Sequence, residues 1–250
     1  MRFRERGGRL DAPRQVGDKM YIQHAWHIEF DEEHYIAQVG GNLAKLLARP
    51  GVRTDWEAAL ADARELVAPA AAWDTFPIKE FRHERLMLAN GTKIGGGPVA
   101  TVVAGATDLV VGVCTIGSAI SRRISDQLRS GQRLHAWFLD ELGSWAVDQV
   151  RQQLCRQVED DAIGRALHAS ASLSPGESEW SVAEQAVIFS LVDAREIGVT
   201  LTKSLVMSPV KSLSLIMGIG PGPLGVEGAS NCDFCTIRER CSYRRLRLAQ

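Results

Sequence analysis

Apolar residues recur along this chain at two spacings, and the switches between them divide it into elements. Over residues 21–30 apolar and polar positions alternate, which predicts a strand. His24 and His27 stand three apart on it, on opposite faces, so they do not form a chelating pair. Asp31 is a good N-cap, and Tyr35, Val39, Leu43, Leu46 and Leu47 repeat at helical spacing. Pro50-Gly51 is expected to end that helix. Thr54-x-x-Glu57 reads as a capping box for a second helix, whose face Trp56, Leu60, Ala63, Leu66 and Val67 runs until Pro69 stops it. Strands are predicted at 78–81, 85–89, 99–103 and 109–115, with a tight turn at Asn90-Gly91. Gly95-Gly96-Gly97 lies between strand candidates with no helix directly behind it, so it is not a phosphate loop.

The second half changes rhythm. An apolar strand over 110–117 leads to Ser118, the expected cap of a helix over 119–128. A long helix is predicted over 134–163, carrying Trp137, Leu139, Leu142, Trp145, Ala146, Val150, Leu154 and Val158. The turn Pro175-Gly176 follows, then Ser181-x-x-Glu184 as a capping box, then apolar segments over 199–207 and 212–219 read as paired strands. Loop, helix and strands together make a ligand-sized corner, although an ordinary turn before a helix has the same pattern. Residues 221–228 are Gly- and Pro-rich and read as a linker.

Composition bounds the rest. The 250 residues carry 45% hydrophobic and 24% charged side chains, enough for a sizeable core. A net charge of −1 favours neither nucleic acid nor an acidic membrane surface. No apolar run is long enough to span a bilayer. The N-terminus has arginines but no apolar stretch behind them, unlike a signal peptide, so a cytoplasmic location is expected. Residues 1–18 read as a mobile arm. Hydrolase signatures such as Gly-x-Ser-x-Gly and His-Glu-x-x-His are missing from the sequence.

Among five cysteines, Cys114 and Cys155 sit singly in apolar runs and read as small core residues. Cys232, Cys235 and Cys241 form a Cys-x2-Cys-x5-Cys tail. That spacing lets thiolates reach one ion, and both zinc sites and iron–sulfur clusters use it. Zinc and iron stay open, as does the fourth ligand.

The order of motifs resembles a known family. Thr115-Ile-Gly117 comes first, then Leu139-Asp-Glu-Leu-Gly143-Ser144, Ser174-Pro175-Gly176 with Trp180, Gly198-Val-Thr-Leu-Thr202-Lys-Ser204, and Pro209-x-Lys211-Ser212. The series is similar to the activation (reactivation) domain of vitamin B12-dependent methionine synthase, over residues 28–245. Free-standing versions carry a tail like Cys232, Cys235, Cys241, Tyr243 and Arg244. The resemblance implies an α+β fold, a C-shaped single domain over 19–225 with a bent antiparallel sheet flanked by helices. It leaves 226–250 as a short cysteine-rich, metal-binding tail. It also implies docking on a corrinoid protein, with reduction of Co(II) to Co(I) supported there and S-adenosylmethionine (SAM) trapping the product.

This chain lacks Asp-x-His-x-x-Gly, so the corrinoid is expected on a partner protein. The family's SAM loop, Arg-x-x-x-Gly-Tyr, is also degenerate here. Ser174, Gly176 and Glu177 remain as the cofactor-binding candidates, but Ser172 stands at the Arg position and Glu177 at the Tyr position. Losing the carboxylate-binding Arg removes about 1.5–3 kcal/mol, and Glu177 is expected to repel a carboxylate, so SAM binding is expected to be weak or absent. Three functions follow from the resemblance. One is an activation or redox partner of a corrinoid-dependent methyltransferase system, with no catalytic residue assigned. Another is a non-catalytic docking subunit with a structural metal. The last is a SAM-dependent reactivation component of B12-dependent methionine synthase.

Overall fold

The computed structural model describes residues 20–24, 26–39, 41–177 and 179–225. The arm at 1–18 and the cysteine tail at 226–250 lie outside them. Among the described residues, one sheet organises everything else. Its centre is β5 (Asp108–Thr115), with β2 (Ala70–Arg82) on one side and β9 (Ser212–Gly220) on the other, both antiparallel to it. Seven of the eight β5 residues are buried, so both faces need cover. The period-two alternation sorts them. Val110 and Cys114 join Trp73, Leu215, Met217 and Ile219 in one core, while Leu109, Val111 and Val113 join Ala70, Ala72 and Ile216 in another.

Four shorter strands complete the sheet: β1 (Tyr21–Gln23), β3 (Arg85–Leu88), β4 (Lys93–Gly95) and β6 (His168–Ala169). Their spatial order is β4-β3-β2-β5-β9-β6, with β1 also on β2. The strand β2 changes partner along its length. Residues 70–77 pair with β5, and from Ile78 onward it pairs with β3, with a register shift between Ile78 and Glu80. Such a shift bends a strand and curls its sheet. The result is the α+β arrangement with a bent antiparallel sheet that was expected.

Helices cover the first core: α1 (Glu32–Val39), α2 (Gly41–Leu47), α3 (Pro50–Leu66), and further along α5 (Ala119–Arg129) and α6 (Arg133–Gly164). At 32 residues α6 spans about 48 Å and buries Leu139, Leu142, Val150 and Leu154. Asp62 of α3 ties three helices, holding His135 at 3.0 Å and Arg123 at 3.0 and 3.1 Å. The second core is closed by the one-turn α4 (Val99–Val102) and by α7 (Gln185–Leu191). A small hairpin of β7 (Thr200–Leu201) and β8 (Met207–Ser208) stands apart from the sheet.

Several local expectations are corrected. The strand over 21–30 stops at Gln23, where the Trp26 indole donates to the Gln23 carbonyl and the chain turns toward the helices. The Asp31 cap holds, accepting from the His34 N–H at 3.0 Å, but the helix behind it divides into α1 and α2. Pro50 opens α3 rather than closing the helix before it, as suits proline at a first helical position. Thr54 therefore lies inside α3 and donates to the Pro50 carbonyl, while Glu57 pairs with Arg53. Val99–Val102 is a helix, with Val99, Val102 and Val103 buried at helical spacing, so a short helix does follow the glycine run. Ser118 makes no capping bond and accepts from Arg122 instead. The segment 199–207 does not pair with 212–219, because β7 takes β8 and β9 takes β5 and β6. The described part of the 221–228 linker packs down, with Leu224 buried and the Gly225 N–H on the Ala104 carbonyl.

Candidate functional site

The loop from Ser172 to Trp180 is fixed at both ends. Leu173 makes a two-bond bridge to Ile216 of β9, at 3.1 and 2.9 Å. Ser174 is buried, and its hydroxyl donates to the Ser214 carbonyl at 2.6 Å. Gly176 takes φ +91°, where a side chain is strained, and its N–H donates to the Trp180 carbonyl at 2.8 Å. Trp180 is buried and its indole donates to the Gly95 carbonyl at 3.2 Å. Ser181 accepts from the Ala183 N–H, as half of the expected capping box. Glu184 does not reach back to complete it. Its carboxylate accepts from Arg85 at 2.7 Å and from the Gly95 N–H at 3.0 Å, so hairpin and loop share one anchor.

Against this loop stands a residue that the sequence did not single out. Arg151 projects from α6 and is 3% exposed. It donates through Nη1 to Glu177 Oε1 at 3.1 Å and through Nη2 to Ser172 Oγ at 3.0 Å, with Glu177 Oε2 at 3.5 Å. Burial works to lower its pKa, but the Glu177 carboxylate, Cys155 and Asp148 offset this and hold it above the usual value. Glu177 is thus the partner of a buried cation and not an isolated charge. A signal existed: Arg151 interrupts the apolar stripe Val147, Val150, Leu154 and Val158. A charge in such a stripe needs a partner.

The neighbouring thiols are quiet. Burial pushes Cys114 up to about 12. Burial also raises Cys155, against the opposing pull of Arg151 and a hydrogen bond from Ser172. Thiols so held stay protonated and unreactive near neutral pH.

A second convergence gathers three of the motifs. Lys211 Nζ pairs with Asp140 Oδ1 at 2.8 Å and donates to Ser144 Oγ at 2.7 Å. Gly143 leaves room for this: a Cβ there would lie 3.3 Å from both Lys211 Cε and Ile120 Cγ2. Thr115 Oγ1 donates to the Lys211 carbonyl at 3.2 Å and accepts from the Gly117 N–H at 3.1 Å. The Ser212 hydroxyl lies 2.9 Å from Thr115 Oγ1. Beside this knot an open groove of about 440 Å³ runs between α5 and the 208–210 turn, lined by Ser121, Ser125 and Arg122 among others.

Cys232, Cys235 and Cys241, the metal candidates, lie outside the described residues. Among the described residues no group of three or more His, Cys, Asp or Glu is placed to hold a metal ion. Nor is any described helix long and apolar enough to cross a membrane.

No family model matches this chain, and no curated protein matches it. Among solved structures, a crystal structure of the MetH reactivation domain bound to AdoHcy superposes with a TM-score of 0.58. The match covers 92% of this chain and 86% of that one, at 12% identity. The chain shares the fold of the MetH reactivation domain. At that identity the likeness concerns architecture, and the architecture is the one the motif order implied.

Proposed function

We propose that this protein is the activation or redox partner of a corrinoid-dependent methyltransferase system. In this reading it supports one-electron reduction of Co(II) to Co(I) on a partner corrinoid protein. The supporting observation is the fold likeness to a reactivation domain over 92% of the chain. The electron comes from an external reductant or, if Cys232, Cys235 and Cys241 hold an iron–sulfur cluster, from that cluster; zinc there would be structural. Mixing the protein anaerobically with its corrinoid partner and a reductant tests this. The absorbance of cob(II)alamin should convert to that of cob(I)alamin faster than in its absence. Equal rates with and without the protein would refute it.

A non-catalytic docking subunit is the second reading, and the internal closure of the loop favours it. The Ser174 hydroxyl and the Gly176 N–H already have partners within the chain, and Arg151 is taken by Glu177. This self-sufficiency counts against a SAM-dependent component. In the docking reading the protein binds a corrinoid protein or methyltransferase without changing the rate of cobalt reduction. A pull-down recovering neither would refute it.

A further inference from the structure

We propose that the Arg151 guanidinium is a receptor for a small carboxylate anion, and that the chain keeps it occupied with its own Glu177. The receptor half is fixed. Arg151 is 3% exposed, rises from the middle of α6, and presents two nitrogens to the loop. A guanidinium fork so placed matches the two oxygens of any carboxylate.

The occupying half is replaceable. The Glu177 side chain is 31% exposed, so solvent reaches it on the side away from Arg151. The next residue back, Gly176, borders open space, since a Cβ there would meet nothing within 4 Å. Leu173 and Ser174 stay pinned to β9 whether or not Glu177 is seated. Glu177 can therefore swing out without releasing the base of the loop.

Charge bookkeeping decides which group leaves. Two carboxylates already act on Arg151: Glu177, which it holds by hydrogen bonds, and Asp148, through its charge alone. A third carboxylate cannot simply add to them. Asp148 is buried and accepts from Gln152 one turn along the same helix, so it stays. Exchange falls to Glu177, and a free carboxylate enters only as Glu177 departs. The corrinoid partner plays no part in this exchange.

Acetate is the probe. Thermal unfolding of the whole chain is followed while sodium acetate is titrated against sodium chloride at matched ionic strength. Glu177→Ala is expected to melt about 5 °C lower than the wild type in chloride. It should recover as acetate rises, with saturation, at least about tenfold below any acetate effect on the wild type, whose own carboxylate competes at high effective concentration. Glu177→Gln, whose side chain still fills the place, should not recover. Arg151→Met combined with Glu177→Ala should not respond to acetate. Identical melting of Glu177→Ala in acetate and chloride would overturn the proposal, and so would an equal response from the double variant. If Glu177→Ala does not fold in chloride, its folded fraction by circular dichroism in the two salts is read instead, with the same two outcomes.

Discussion

Replacing Arg151 by methionine is expected to harm the fold more than neutralising Glu177, its direct partner. Methionine keeps most of the volume, so the perturbation is electrostatic. Without Arg151, both Glu177 and the buried Asp148 lose the cation that acts on them. Breaking a buried ion pair from one side costs about 3–5 kcal/mol. Glu177→Gln is milder, because an amide oxygen remains and Asp148 still faces the guanidinium. Its cost is nearer the ~1.5 kcal/mol of one charged hydrogen bond. For a chain of this size 1 kcal/mol moves the melting temperature by about 2–4 °C, giving drops of roughly 6–20 °C and 3–6 °C. Urea unfolding followed by tryptophan fluorescence at pH 7 measures both. The reasoning fails if Glu177→Gln loses more stability than Arg151→Met.

Other sites give independent checks. Gly218→Ala places a Cβ 2.8 Å from Ala106 Cβ and 2.9 Å from Val103 Cβ, so a loss of about 1–3 kcal/mol in denaturant unfolding is expected. Burial, and Asp160 beside it, raise the pKa of Asp161 near the C-terminus of α6, against the pull of Arg165. A carboxylate raised on folding favours the fold when protonated, and that support is lost as the pH climbs through the raised value. Asp161→Asn should therefore raise the melting temperature slightly at pH 7, the effect being screened by solvent, and leave it unchanged near pH 3, measured by melting at both. Cys114, buried and pushed up to about 12, should resist iodoacetamide in the folded protein and react once it is unfolded in urea, as read by peptide mass mapping.

The sequence was legible where one spacing dominates. The apolar run of β5 and the 32-residue α6 fell within a residue or two of their expected bounds. Legibility failed where composition and context disagree. Val99–Val102 is rich in β-branched residues and reads as a strand, yet Pro98 and the buried Val99, Val102 and Val103 wind it into one helical turn. The pair Thr54 and Glu57 has the spacing of a cap, but Pro50 had already started the helix a turn earlier. At the candidate site the motif residues were visible, and Lys211, Asp140 and Ser144 do meet. Arg151 was marked only as a charge within an apolar stripe, and its role stayed hidden because its partner Glu177 lies 26 positions away and no local pattern joins α6 to that loop.

The place of β9 has a consequence for the order of synthesis. It pairs with β5 along eight positions, from Asp108 with Ile219 to Thr115 with Ser212, and so inserts a late segment beside the middle of the sheet. Until Gly220 has left the ribosome, β5 holds β2 on one side and an unsatisfied row of backbone groups on the other. Such a row is a template for foreign strands. Nascent chains stalled before residue 212 should therefore be the ones that chaperones bind and that aggregate when chaperones are scarce. Chains stalled well past Gly220 should be able to close the sheet while still attached.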